Sequence, residues 1–177
     1  PEFSAADSLA KSFSTTMTDD TASGLTTYFY TITARDMTGY ESGMSDTVMG
    51  IPVPGQAVYV DASNNGYQNG SFGYPYDDIQ EGIDTAESGG TVLVFEGTYD
   101  GNLVLSKDLL LLAMSGPSNT EILANTGSAI MVTGVGDSTR VQGFSFDGLG
   151  SASAGIDVVG CNPTLSDCVV RGASSGG

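Results

Sequence analysis

Oxygen-bearing side chains occur along residues 61–69 with the spacing of a loop that holds a divalent cation. The candidate ligands are Asp61, Ser63, Asn65 and Asn69. Alternating oxygen ligands followed by a glycine at the sixth position, here Gly66, are typical of calcium loops. The twelfth position, where such loops carry a bidentate acid, is Phe72. A turn held by side-chain hydrogen bonds explains the same Gly/Asn-rich pattern, so calcium and a plain turn both stay open.

Four aromatic side chains cluster in and just after the same segment: Tyr67, Phe72, Tyr74 and Tyr76. Aromatic rings offer a flat apolar face with, in tyrosine, a polar edge. Such faces can stack on sugar rings, which makes these residues candidates for carbohydrate binding. Packing against a neighbouring structural element is the alternative use of the same side chains.

Acidic side chains in the second half of the chain are candidates for glycoside chemistry, which needs two carboxyl groups flanking a sugar. They are Glu96, Asp100, Asp147, Asp157 and Asp167. Acids on solvated turns explain these positions equally simply, and no catalytic residue is assigned. The chain contains no histidine, which excludes a Ser-His-Asp triad and any metal site built on histidine.

Acidic residues far outnumber basic ones, with 21 Asp and Glu against 5 Lys and Arg and a formal net charge of −16. A surface of this charge repels phosphate backbones, so a nucleic-acid partner is excluded. No apolar run approaches the length of a membrane span, and membrane insertion is not expected.

Residues 1–50 form the first of two regions, and they are rich in Thr, Ser and Tyr. Alternating aromatic and β-branched residues predict a strand over residues 27–34 and a shorter one over 45–49, with a turn over 35–42. The spacing of Tyr28, Tyr30, Ile32, Ala34 and the residues that follow them (Y-x-Y-x-I-x-A-x-D-x-x-G-x-E-S) resembles the last two strands of a fibronectin type III domain. The resemblance implies part of a β-sandwich used as a spacer or binding module, joined by a Pro/Gly linker over residues 51–56.

Residues 57–177 form the second region, which opens with a strand over residues 57–61. A helix is predicted over residues 76–87, with Asp77 and Asp78 in its first turn. Ile79 and Ile83 fall on one face of this helix. Because the end of a sheet stack exposes apolar side chains and unpaired edges, we expect the helix to act as a structural cap with these two isoleucines as plugs.

Short apolar runs repeat from residue 92 onward, each ending at Gly, Asn, Asp or Ser. Residues 128–134 align with residues 154–160, and residues 141–148 align with residues 165–172, at offsets of about 24 to 26 residues, within the range of solenoid repeats. The pattern predicts an all-β fold in which each strand pairs with its counterparts in neighbouring repeats.

Five segments carry a family resemblance for this second region: VYVD at residues 58–61, NG at 65–66, NGS at 69–71, IQEGIDTA at 79–86 and GTVLVFEGTY at 90–99. Together they resemble the N-terminal cap and first coil of pectate-lyase-like β-helix proteins. The resemblance covers about two-thirds of the chain and implies a right-handed parallel β-helix with an N-terminal capping helix. That superfamily hosts many unrelated activities.

Two functions follow from these observations. The first is a fragment of a secreted or cell-surface multidomain protein whose β-helix serves carbohydrate binding, adhesion or extracellular assembly, with polysaccharide or further copies of the chain as partners. The alternative is the N-terminal part of a polysaccharide lyase or glycoside hydrolase acting on an acidic polysaccharide, with its catalytic coils beyond residue 177. Both ends of the chain are expected to be cut points in a longer protein.

Overall fold

A computed structural model describes residues 22, 26, 28–50, 52–53, 55–124, 126–148 and 154–171 of the chain. The chain divides into two compact units, Pro1–Pro52 and Val53–Gly177. The division falls inside the segment that the sequence predicts to be a linker.

In the part of the first unit that the structure describes, two strands pair antiparallel, β1 (Tyr28–Tyr30) and β2 (Val48–Gly50), with Tyr28 opposite Gly50. Both strands are shorter than the sequence predicts. Beyond Tyr30, side-chain hydroxyls take the place of some backbone acceptors of the strand pair. The hydroxyl of Ser45 accepts from the amide of Ile32, and that of Ser42 accepts from the amide of Ala34. Residue 27, the predicted first residue of β1, lies outside the described residues.

The described residues of the second unit form three parallel sheets and one short helix. Its strands are β3 (Ala57–Val60), β4 (Thr91–Val94), β5 (Gly97–Asp100), β6 (Leu103–Leu105), β7 (Leu110–Ala113), β8 (Thr120–Leu123), β9 (Ser128–Thr133), β10 (Arg140–Gln142), β11 (Ser145–Asp147), β12 (Ala154–Val159), β13 (Thr164–Ser166) and β14 (Val169–Arg171). The first sheet has the order β3-β4-β7-β10-β13, the second β5-β8-β11-β14 and the third β6-β9-β12. From β4 onward the chain therefore enters the three sheets in the same sequence each time. At this level the prediction of a mostly β fold is confirmed.

The strand register follows the internal repeat found in the sequence. Ala154 lies opposite Ser128, Leu165 opposite Val141, and Val169 opposite Ser145. Each aligned pair occupies neighbouring strands of one sheet. Equivalent residues of successive repeats are therefore paired with each other in parallel strands.

The main core lies between the sheets. It is formed by the inward-facing side chains, which alternate with outward-facing ones along each strand. In the first sheet Val58, Val92, Leu111 and Val141 are neighbours across β3, β4, β7 and β10, and all four are buried in this core. Residues on either side of them in the strands face outward. Three of those outward residues, Leu93, Leu110 and Leu112, form a second, smaller apolar cluster.

The helix α1 spans Ile79–Thr85 and is shorter than the predicted 76–87. Its start is set by Asp78, whose side chain accepts from the amides of Gln80 and Glu81. Asp78 is thus the N-cap and Asp77 precedes the helix, so neither lies in the first turn. Tyr76 is not helical because its backbone is used in a parallel bridge to Val60 on β3. At the other end, Ala86 is already extended.

Ile79 and Ile83 are fully buried in the main core. The helix backbone lies close to the sheet, since a Cβ added at Gly82 would stand 2.6 Å from Cγ2 of Val60. The helix packs against β3, β4 and β6, of which β3 and β6 are outermost in their sheets. Its apolar face therefore covers this end of the core, where the sequence places a cap.

Candidate functional site

Residues 61–76 form a loop that is bonded to the outer edge of β3. The amide of Tyr59 donates to the carbonyl of Gly70 (2.8 Å), the amide of Tyr76 donates to the carbonyl of Tyr59 (3.0 Å), and that of Asp61 donates to the carbonyl of Tyr76 (2.7 Å). Gly70 has a φ of 74°, and a Cβ there would stand 2.6 Å from the ring of Tyr76. Because residue 70 has no side chain, the backbone of the loop can pack directly on the ring of Tyr76. The three hydrogen bonds hold the loop against β3.

A tight hairpin stands inside this loop. Ser71 and Tyr74 form an antiparallel bridge, and the amides of Asn69 and Gly70 both donate to the carbonyl of Tyr74. The side chain of Asn69 accepts from the amide of Ser71 (3.0 Å) and stabilises the start of the turn. Phe72 occupies the tip of the hairpin and is therefore held away from the core.

The loop of residues 61–76 presents aromatic side chains to solvent. The exposed fractions are 71% for Tyr67, 52% for Phe72 and 53% for Tyr74. Large aromatic side chains normally bury most of their surface. Three of them exposed on one short, hydrogen-bonded loop make this loop the candidate interaction site of the second unit.

The exposed rings form two groups. Tyr67 and Tyr74 contact edge to face with ring centroids 5.4 Å apart. Phe72 contacts Tyr59 at 5.4 Å and Phe95 at 6.1 Å, and Tyr59 and Phe95 are 6.5 Å apart. We refer to these five residues, Tyr59, Tyr67, Phe72, Tyr74 and Phe95, as the aromatic surface.

Three of the four aromatic residues singled out in the sequence belong to this surface, and Tyr76 does not. Tyr76 packs against the main core, and its hydroxyl accepts from the hydroxyl of Thr85 on α1 (3.3 Å). It therefore takes the alternative role, packing against the helix. Tyr59 and Phe95 complete the surface and were not predicted from the sequence. Tyr59 was detectable, because it alternates with the buried Val58 and Val60 on β3, whereas Phe95 follows β4 without any local signal.

The aromatic surface adjoins the outward-facing apolar cluster of the first sheet. Tyr59 packs against that cluster and lies opposite Leu93, which in turn lies opposite Leu112. Val53, just before β3 in the sequence, packs against the same cluster. Apolar contact is thus continuous from the hairpin rings to the outer face of the sheet.

The four candidate calcium ligands lie in the same loop, and two of them are already engaged as acceptors. One carboxylate oxygen of Asp61 accepts from the amide and the hydroxyl of Ser63, at 2.9 and 2.7 Å, and Asn69 accepts from Ser71. Asn65 is exposed. Within the described ranges, no three Asp, Glu, Cys or His side chains come together as a metal site. A site made largely of Ser and Asn oxygens needs no such group of acids, so calcium binding stays a prediction.

Asn64, which the sequence analysis did not single out, organises the centre of the loop. Its side-chain amide donates to the carbonyl of Pro75, while its oxygen accepts from the amide of Gly66 (3.1 Å). These are the side-chain bonds expected of a turn rich in Asn and Gly.

Tyr99 joins this loop to the second sheet. Its hydroxyl accepts from the amide of Ala62 (3.1 Å) and donates to the carbonyl of Phe95 (3.0 Å). Burial, assisted by the nearby negative charge of Asp61, raises the pKa of Tyr99 to about 12, although the Ala62 bond acts in the opposite direction. The neutral hydroxyl therefore fixes both the start of the loop and the residue that carries the Phe95 ring.

The acids considered for glycoside chemistry are spread over different elements. Asp157 lies in β12 opposite Met131 of the third sheet, and Asp167 lies in the segment between β13 and β14. Only Asp100 and Asp147 share a row, in the second sheet with Leu123 between them. Two strand spacings separate them by about 10 Å. The stereochemical outcome of glycoside hydrolysis depends on the separation of the two carboxyl groups, whereas the strand spacing fixes only the separation of the two Cα atoms.

Comparisons of the chain with protein-family models, with curated proteins and with solved structures found no match. In the part of the chain that the structure describes, no helix has the length and apolar character needed to cross a membrane.

Proposed function

We propose that the second unit is a right-handed parallel β-helix in a secreted or cell-surface protein, and that its aromatic surface binds carbohydrate. The β-helix is supported by the repeated passage of the chain through three parallel sheets in the same order. Right-handedness is supported by a general rule, since connections between parallel strands of one sheet are right-handed in about 98% of cases. The helix α1 serves as the N-terminal cap of this fold.

Carbohydrate is the ligand that the aromatic surface suits best. One face of a sugar ring presents C–H groups and is apolar, while its rim carries hydroxyls, so it matches an aromatic ring bordered by polar groups. The uncharged polar side chains of Asn65, Gln68 and Ser71 belong to the same loop as Tyr67, Phe72 and Tyr74. They would supply hydrogen-bond partners for the sugar hydroxyls.

The observation that carries the proposal is the exposure of Tyr67, Phe72 and Tyr74 on a loop held by backbone hydrogen bonds. Loss of side-chain freedom and loop ordering normally reduce the free energy of binding. Here the loop is already ordered by its bonds to Gly70 and Tyr76. The rings are therefore presented in advance of ligand binding.

The test is binding of the full chain to a panel of soluble polysaccharides, measured by affinity gel electrophoresis. We expect retardation by at least one polysaccharide, and a loss of about tenfold in affinity for each of Tyr67→Ala, Phe72→Ala and Tyr74→Ala, because one stacked ring contributes on the order of 1 to 2 kcal/mol. Tyr40→Ala is the matched control, since Tyr40 is an exposed tyrosine of the other unit. Absence of binding, or equal loss in the control, would refute the proposal.

The same variants distinguish sugar binding from self-association. If the aromatic surface instead contacts a second copy of the chain, the wild type will sediment as an oligomer. The three alanine variants will then sediment as monomers. That result would show that the partner of the aromatic surface is a second copy of the protein and not a carbohydrate.

We further propose that the first unit is part of a fibronectin type III-like sandwich and acts as a spacer. The antiparallel pair β1 and β2 and the turn between them support this assignment. Within that turn, Asp36 accepts from the amides of Thr38 and Tyr40. Amide exchange of the full chain would test it, because a sandwich needs protected strands besides β1 and β2 in the first unit. Absence of further protected strands before Tyr28 would overturn it.

A further inference from the structure

We infer that the aromatic surface selects neutral polysaccharides over polyanionic ones such as uronans. This inference rests on the proposed carbohydrate binding and concerns the class of ligand that the site accepts. The charges around the rings differ from those expected of a site for acidic sugars.

Carboxylates border the aromatic surface in the sequence. Asp61 follows two residues after Tyr59, and Glu96 directly follows Phe95. The side chain of Glu96 is exposed and that of Asp61 is partly exposed. A sugar carboxylate stacked on these rings would come near like charges, which repel it.

No cation of the second unit offsets these acids near the rings. Residues 36–106 contain no Lys or Arg. The first cation after them is Lys107, whose ammonium already donates to the carbonyls of Asp84 and Ala86 at the end of α1, at 2.9 and 3.0 Å. Recognition of a carboxylate or sulfate normally uses Arg or Lys with bidentate or charge-assisted hydrogen bonds, and this surface provides none.

Arg140 is the next cation along the chain, and it lies too far from the aromatic surface to pair with an acidic sugar bound there. It lies on β10, three strands from β3 in the order β3-β4-β7-β10, which corresponds to about 14 Å. The Debye length in physiological salt is about 8 Å. The positive charge of Arg140 is therefore screened at the aromatic surface.

Uncharged polar side chains are available in the loop that carries Tyr67, Phe72 and Tyr74. Asn65, Gln68, Asn69 and Ser71 carry amides and a hydroxyl, and all four lie in the loop between Tyr59 and Tyr74. Amides and hydroxyls pair with sugar hydroxyls as both donors and acceptors. The chemistry of the site is therefore complementary to a neutral glycan.

The experiment compares four polymers on the full chain: hydroxyethylcellulose and glucomannan, which are neutral, and polygalacturonate and alginate, which are acidic. Affinity electrophoresis should give an affinity for at least one neutral polymer that is about tenfold or more above that for either acidic polymer at low salt. Raising the salt to 0.5 M should leave neutral binding unchanged, because no ionic contact is made. The variant Glu96→Lys, which reverses an exposed charge beside Phe95, should strengthen retardation by polygalacturonate.

The possible outcomes distinguish a failure of the neutral preference from a failure of carbohydrate binding itself. Binding of an acidic polymer as tight as that of the neutral ones, and sensitive to Phe72→Ala, would overturn the neutral preference while leaving carbohydrate binding intact. Binding of none of the polymers would refute carbohydrate binding and the preference with it. Neutral binding lost in Phe72→Ala but retained in Tyr40→Ala would support both.

Discussion

The side chain of Gln80 pairs with the backbone of Val104 as a neighbouring strand would. The amide of Val104 donates to Oε1 of Gln80 (2.8 Å), and Nε2 of Gln80 donates to the carbonyl of Val104 (3.2 Å). Val104 is the central residue of β6, which is outermost in the third sheet. A carboxamide has the same donor and acceptor as a peptide group, so the helix satisfies an edge that would otherwise be open to pairing with another chain.

Replacement of this glutamine should destabilise the second unit. We expect Gln80→Ala to lower the free energy of unfolding by about 1 to 2 kcal/mol, since two hydrogen bonds contribute on the order of 1 kcal/mol each and the better helix propensity of Ala recovers little of it. Urea denaturation followed by circular dichroism measures the change. Glu81→Ala is the control, because Glu81 is exposed on the same helix. A Gln80→Ala stability equal to that of the control would show that the edge pairing contributes nothing.

The hydroxyl of Tyr99 should be important for stability, because it bonds the loop before the aromatic surface to the second sheet. In Tyr99→Phe the amide of Ala62 and the carbonyl of Phe95 both lose a partner. We expect a loss of about 1 to 3 kcal/mol, the cost of partly buried groups left without a bond. Tyr74→Phe, which removes a hydroxyl from an exposed ring, should change stability by less than about 0.5 kcal/mol.

The raised pKa of Tyr99 also predicts a pH dependence. The neutral hydroxyl is favoured in the folded state, where the pKa is about 12, over the unfolded chain, where it is 10.0. Its contribution to stability is therefore complete below pH 10 and is lost as the pH rises towards 12. Urea denaturation between pH 8 and pH 11 should show a steeper decline for the wild type than for Tyr99→Phe. Parallel declines would contradict the assignment of this titration to Tyr99.

Asp108 should stabilise the fold in the opposite pH range. Its carboxylate accepts from the amide of Gly136 and from the hydroxyl of Thr139, in the following repeat. These bonds, the Gly136 amide first, lower the pKa of Asp108 below its usual value. The stability that its ionised form adds is present at neutral pH and is lost as the pH falls through the lowered pKa.

The variant Asp108→Ala should therefore have a lower denaturant midpoint than the wild type at pH 7, with the difference shrinking on acidification to pH 3. Asp137→Ala is a suitable control, because Asp137 is an exposed acid one residue from Gly136. A difference for Asp108→Ala that stays constant from pH 7 to pH 3 would count against this role of the carboxylate.

Parts of the fold that depend on local periodicity could be read from the sequence. The alignment of residues 128–134 with residues 154–160 became the pairing of β9 with β12. The spacing of Ile79 and Ile83 marked the buried face of α1. The ends of the helix were less predictable. The backbone of Tyr76 could belong either to the helix or to a bridge with β3, and the position of the β3 edge determines that it forms the bridge.

The candidate site was only partly predictable. Tyr67, Phe72 and Tyr74 stood out as a cluster of aromatics in a polar segment. Phe95 comes from a distant part of the chain and meets Phe72 only because β3 and β4 pair in the first sheet. The roles of Gln80 and Asp108 likewise depend on backbone groups of other repeats, 24 and 28 residues away along the chain.

The sequence by itself determined the period of the apolar residues, the acidic charge of the chain and the concentration of aromatics in one loop, because each of these is a property of residue type and spacing. The tertiary structure alone decided which rings face solvent, which edge groups are paired and which acids share a face. Those properties follow from contacts between residues far apart in the chain, and such contacts are set by the parallel register in which one repeat lies on the next.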